Sequence, residues 1–340
     1  VGDVAELPSG LATSVGPLPV EDPDDAAALA LAVGGDLPTA PVAAPLHRSL
    51  LAQAVHGVAG IRLIAPGRVE VDPDGMPDPA DPALDEVTGE PFDALHRFLV
   101  RLDPTAVHAV RLPVPGPVTL AVVLLGAGVE PRLAIRGAAC LVSRRAVAAL
   151  RTVRAAAPGL PVAVVLTEPG MVGAMHPTFP LTPSSVRALL DPVVAGLDAA
   201  APAGELLIGV HVPGRTDWGT VIDAGVSLIS APADGGLLGW ADHVGALLDA
   251  GGRVAWGAVP VDRPLGTSEQ RLWRNLTEEW GDLAAAGLDP LLLRQRALVS
   301  PADGLAHFGP SQATRVLDLT AALASRTRRQ ALAARIPIGA

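Results

Sequence analysis

From about residue 105 onward the chain alternates short β-branched runs with longer amphipathic stretches, the order expected of repeated βα units around a parallel sheet. The spacing predicts strands at 106–112, 161–167, 206–212, 226–230, 254–259 and 297–300. Helices are predicted near 131–157, 183–199, 217–224, 237–250, 268–287 and 311–334. Local punctuation supports these boundaries. Thr182-Pro183 sets an N-cap before a proline at the first helical position, and Gly251-Gly252 ends a helix before the next strand.

The first hundred residues are less regular, with a strand expected at 11–15 and helices near 24–33 and 47–57. The acidic, proline-rich stretch 71–91 reads as an exposed loop, and the chain has no internal repeat. Six clear βα units, with one or two more near the N-terminus, approach eight. A dinucleotide-binding open sheet would want a G-x-G-x-x-G turn, and none is present. The expectation is therefore an α/β fold, a (β/α)8 TIM barrel with an N-terminal extension, forming one domain over 1–340.

Composition closes off several classes of function. Of 340 residues, 49% are apolar and 18% charged, which suits a large buried core. Net charge is −10 and every basic residue except histidine is arginine, against the surplus of positive charge that a nucleic-acid footprint requires. Apolar runs such as 118–129 are too short to span a bilayer and no basic leader precedes them, so no membrane partner and a cytoplasmic location are expected. The expected partner is a small molecule. Cys140, the single cysteine, excludes an internal disulfide and any site with several thiolates from one chain.

Barrel enzymes place their chemistry at the C-terminal ends of the strands. The residues there include Ser14, Arg111, Glu168, His211, Ser230 and Asp303. Glu168 suits an acid, a base or an ammonium partner, or else a structural carboxylate capping a loop. His211 is a site residue or a satisfied core histidine, and Asp303 a pocket acid or a turn residue before Gly304. Arg111 suits a carboxylate clamp or an ion pair, and His176 either lines the mouth or is a solvated loop histidine. Trp218, Trp240 and Trp256 are platforms for stacking a flat ring, or core or interface anchors, and Cys140 reads as a small buried hydrophobe.

Five segments, in order along the chain, resemble signature pieces of the cobalamin-independent methionine synthase family. Thr13-Ser14-Val15-Gly16-Pro17-Leu18-Pro19 resembles its T-S-x-G-x-x-P opening, and Pro115-Gly116-Pro117-Val118-Thr119 its T-G-P-V-T turn. Leu166-Thr167-Glu168-Pro169 resembles its D-E-P motif. His211-Val212-Pro213 stands at its H-x-C, and Ser300 to Leu305 at its [NT]-P-x-C-G-L segment. The resemblance implies a barrel that moves a methyl group from a folate-type donor, with zinc holding the acceptor thiol as thiolate.

Residue by residue, the resemblance puts the zinc ligands at His211, Pro213, Ser230 and Asp303, of which only His211 keeps the expected type. Zinc is therefore not expected, and no cofactor is certain. The family's catalytic histidine segment aligns loosely with 257–264, where Asp262 stands. The expectation is a diverged methyltransferase using Glu168, His211 and Asp303 as catalytic groups, with Ser14, Arg111, Thr119, His176, Ser230 and Asp262 binding substrate. The alternatives are a binding or regulatory barrel without catalysis, and a metal-free lyase like uroporphyrinogen decarboxylase.

Overall fold

The computed structural model describes residues 6–72, 81–262 and 268–333. Residues 73–80 of the proline-rich stretch, residues 263–264 of the segment aligned with the family's histidine, and the last residue of the helix expected at 311–334 lie outside them.

The first hundred residues hold β1 (Leu11–Ala12), α1 (Pro23–Val33), α2 (Leu50–Val55), β2 (Ile61–Ala65), β3 (Arg68–Val71) and α3 (Asp93–Arg101). There follow β4 (Val110–Pro115), α4 (Pro117–Gly126), α5 (Pro131–Ala156), β5 (Val162–Thr167), α6 (Pro183–Ala200), β6 (Leu206–His211) and α7 (Trp218–Asp223). The chain continues through β7 (Leu228–Pro232), α8 (Ala241–Asp249), β8 (Arg253–Val259), α9 (Glu269–Ala285), α10 (Pro290–Gln295), β9 (Ala297–Pro301) and α11 (Pro310–Ala333). Helix starts carry their own caps: Thr182, Asp217 and Ser268 side chains accept the N–H of Ser185, Thr220 and Arg271.

Seven strands form one parallel sheet in the order β1-β9-β8-β7-β6-β5-β4. Segment 36–43 lies between its two edges. Leu18 N–H donates to Val42, Arg111 N–H to Pro38, and Ala40 N–H to the Arg111 carbonyl. Of the expected N-terminal extension, β1 joins the sheet as an edge strand beside β9, whereas β2 and β3 form a separate hairpin.

Strand β4 begins and ends later than the expected 106–112. Asp103 holds residue 105 in a turn, while Pro113 and Pro115 stay in the strand. Val110 and Gly116 donate toward β5 and Arg111 toward segment 36–43, so the missing N–H groups of both prolines fall on the 36–43 side. The stretch 71–91 is not simply an exposed loop. Leu84 and Val87 are buried, and Arg145 donates to the carbonyls of His56, Ala83 and Glu86, tying the stretch to α5. The hairpin β2–β3, with Pro66-Gly67 at its turn, also went unexpected.

The main core fills the space between the sheet and its helices, and a second cluster lies on the other side of the sheet. Leu11, Ala109, Ala163, Leu207, Leu228, Ala255 and Leu298 belong to this second, wholly apolar layer. Two-residue periodicity then carries four of these strands from an apolar to a polar inward residue: Leu11 to Thr13, Ala109 to Arg111, Leu228 to Ser230 and Leu298 to Ser300. The interior therefore turns polar toward the C-terminal strand ends. Among the described residues no helix is long and apolar enough to cross a membrane.

Candidate functional site

At the ends of β7, β8 and β9 a cavity of about 490 Å³ opens, bounded by Pro213, Pro232, Gly257, Ala302, Asp303 and the flank of α9. Its volume suits a small organic ligand. Gly16 and Gly304 pack together behind it. A Cβ on Gly16 would lie 2.6 Å from Gly304 Cα, and Leu305 N–H donates to the Pro17 carbonyl. Two of the segments used for the family resemblance are therefore neighbours in space.

His211, at the last position of β6, is buried. Its Nδ1 stands 3.1 Å from the Ser230 carbonyl oxygen and 3.0 Å from Ser230 Oγ. A carbonyl only accepts, so Nδ1 carries the proton and Nε2 the lone pair. Among the described residues Nε2 makes no hydrogen bond, and it lies 3.7 Å from Asp303 Oδ1, beyond hydrogen-bond reach. Burial pushes His211 below the ordinary histidine range, and the charge of Arg111 adds to this against the pull of Asp303. Burial raises Asp303, but contact with His211 and the Gly304 N–H outweigh it and leave the carboxyl below its usual range.

Arg111 lies deeper. Its Nη2 donates to Ser230 Oγ at 3.3 Å, while Nε and Nη1 are buried without hydrogen bonds. Burial lowers its pKa to about 10. The arginine is neither a surface ion pair nor a wall of the cavity.

Glu168 takes the structural one of its two expected readings, as a capping carboxylate. Its Oε1 accepts the Val118 N–H, and its Oε2 accepts both the N–H and the hydroxyl of Thr119. It caps the first turn of α4 from the end of β5, where a carboxylate also meets the positive end of the helix. Burial pushes its pKa up to about 7 against these hydrogen bonds. Thr119 is correspondingly a partner of Glu168.

The remaining expected site residues scatter. Ser14 is buried, its N–H and carbonyl both bonded to the Thr39 hydroxyl. His176 is exposed and bonded to Thr178, away from the cavity, whereas Asp262 lies on the cavity wall. Trp218 and Trp256 are fully buried core residues, and Trp240 packs on His243, so none lines the cavity. Cys140 is half-buried on α5.

The residues at the family's zinc positions do not fit zinc. Pro213 has no donor atom, the Ser230 hydroxyl is engaged by His211 and Arg111, and the buried Arg111 cation stands beside the position. Among the described residues no group of three or more His, Cys, Asp or Glu could hold a metal ion.

Sequence reasoning missed the acidic wall formed by Asp234, Glu278, Glu279 and Asp282. The signal was present as carboxylates at 278, 279 and 282, whose three- and four-residue spacing puts them on one helical face.

The fold and site define an α/β protein whose parallel sheet carries a polar pocket at its C-terminal strand ends. No family model matches the chain, and no curated protein matches it. Solved structures that do match include one of two fungal β-1,4-galactanases, at 13% identity over 60% of this chain and 79% of that one. The TM-score is 0.31, too loose a likeness to bear on fold or function.

Proposed function

We propose that this chain is a methionine-synthase-like (β/α)8 barrel, closed by segment 36–43 as its eighth strand position, that transfers a methyl group without zinc. The observation that carries the reading is the buried, unpartnered Nε2 of His211 facing Asp303 at the cavity. A lone pair held there by the Nδ1 bond to Ser230 suits a general base.

In the proposed reaction a nitrogen or oxygen acceptor attacks the methyl carbon of a folate-type donor. The new acceptor–carbon bond forms as the carbon–nitrogen bond of the donor breaks, leaving the electron pair on the donor nitrogen. His211 Nε2 takes the acceptor's proton, and the donor nitrogen gains one, so the sum is acceptor–H plus donor–CH3 giving acceptor–CH3 plus donor–H. A thiol acceptor has no support from the residues present, because nothing replaces the zinc that would ionise it. A cytoplasmic location, where folate-type donors would be met, is part of the same proposal.

A second reading has its own observation. Glu168 is committed to capping α4, which favours a barrel that binds the same ligands without turnover. Incubation with 13C-methyl-tetrahydrofolate, a chelator and a panel of amine, alcohol and thiol acceptors separates the two. Methyl appearing on an amine or alcohol supports transfer. Transfer to thiol alone, or no transfer to any acceptor, overturns it, and donor binding without product selects the second reading.

A further inference from the structure

Arg111 carries a positive charge to the enclosed side of the sheet, where it is 2% exposed. Of its three guanidinium nitrogens only Nη2 is engaged, by Ser230 Oγ, and the N–H groups of Nε and Nη1 are buried without an acceptor among the described residues. Burial lowers its pKa no further than about 10, so the group stays charged at neutral pH. A cation taken out of water costs several kilocalories unless an opposite charge and a full set of hydrogen bonds go with it.

The charged groups nearby do not supply that partner. Ser230 Oγ lies 3.0 Å from His211 Nδ1, and Asp303 stands beyond the same ring, 3.7 Å from Nε2. A hydroxyl and an imidazole therefore separate Asp303 from the guanidinium, and the carboxylate is already tied to the Gly304 N–H. Ser300 is a second buried donor on the inward side: it is fully buried, and its hydroxyl has no partner among the described residues. The other inward hydroxyls are committed, Thr13 and Thr39 to each other and Thr39 also to the backbone of Ser14. Ser300 pairs in register with Gly257, a residue of the cavity wall, so the polar layer lies beside the cavity.

We propose that this interior layer binds one compact, singly charged anion, a halide ion or a carboxylate group, held by Arg111 and Ser300. One negative charge matches one guanidinium, whereas a divalent oxyanion would bury a second charge with nothing to meet it. Donors of this kind, N–H groups of a cation and a hydroxyl, suit an anion and repel a metal ion. Asp303 and the other carboxylates of the cavity wall oppose an anion coming from that side, which slows entry and favours a small one. The site does not depend on methyl transfer. It gives a reason for keeping a costly buried arginine where an apolar residue would fill the same space.

The full chain in sodium gluconate, a bulky anion, is titrated at constant ionic strength with bromide, formate or butyrate, and crystals soaked in bromide are measured at the bromine absorption edge. Bromide is expected to raise the melting temperature saturably, by about 3–5 °C at a roughly hundredfold excess over Kd. One bromide per chain should scatter anomalously against the Arg111 guanidinium. Arg111→Met should match or exceed the parent in gluconate and show no rise with bromide, and Ser300→Ala should weaken bromide about tenfold. Butyrate competing with bromide assigns the site to the carboxylate end of a molecule whose tail points to the cavity. Formate and bromide binding without butyrate assign it to a free ion. A melting temperature that bromide leaves unmoved, or moves equally in Arg111→Met, would overturn the proposal. Bromide found only elsewhere on the chain, an adventitious ion only, would do the same. Should Arg111→Met fail to fold, the bromide position in the parent and the Ser300→Ala affinity decide.

Discussion

The carboxyl carbon of Glu168 sits directly over Gly116, so close that a Cβ on residue 116 would lie 2.1 Å from it. The absence of a side chain at the last residue before α4 is what lets a glutamate from the next strand reach the helix N-terminus. Strand β5 is thereby fastened to α4 by a cap that comes from outside the helix.

Gly116→Ala should therefore destabilise the protein by about 1–3 kcal/mol, since the added methyl expels either the carboxylate or the helix end. Chemical denaturation checks this. An unchanged midpoint would mean that Glu168 does not hold the helix in this way.

Glu168 also makes a pH prediction. Its folded-state pKa of about 7 stands above the ordinary 4.5, so the fold favours the protonated form. The stabilisation attached to this group is complete below about pH 4.5 and is lost as pH rises through about 7, amounting to on the order of 3 kcal/mol. Unfolding free energies of the parent and of Glu168→Gln should diverge over that window, the variant lacking this decline. Parallel profiles would refute the assignment.

Arg111 is a buried cation whose guanidinium, among the described residues, hydrogen-bonds Ser230 alone. Arg111→Met keeps the volume and removes the desolvation cost, so the variant should be as stable as the parent or more stable, by up to about 3 kcal/mol. It should also raise the pKa of His211, which Arg111 depresses. A clear loss of stability would show that the guanidinium is satisfied by a group other than Ser230.

His211→Gln keeps a side chain of similar size and takes away the base. Methyl transfer should fall about 10²–10⁴-fold in kcat, with the donor KM moving much less. Equal loss in both, or none, would take His211 out of the chemistry.

Much of the fold was legible because parallel βα units write a long, regular pattern: the strands expected from 161 onward fall within a few residues of β5 to β9. The errors came where a local rule met tertiary context. Pro113 looks like a strand end, yet its missing N–H falls on the side of β4 where the ladder is nearly spent. Leu84 lies among prolines and acids that resemble a loop, and only Arg145, 61 positions later, shows why it is buried. At the site, His211, Ser230 and Asp303 do come together as their strand-end positions implied. Sequence allowed Glu168 a capping role but not its target, because that is a backbone amide 50 residues away. The acids of α9 were passed over because the sequence shows a helix face but not what the face looks onto.

The central claim is that His211 holds a neutral, metal-free Nε2 beside Asp303, a residue of the cavity wall. The most direct measurement is the long-range 1H–15N spectrum of labelled protein, recorded at pH 7.5 (about one pH unit above the reference histidine pKa) before and after stoichiometric zinc. The prediction is an Nδ1–H tautomer whose Nε2 resonance keeps its position in zinc. An Nε2 signal that moves to a metal-bound position with one zinc per chain would contradict the account and restore a zinc site.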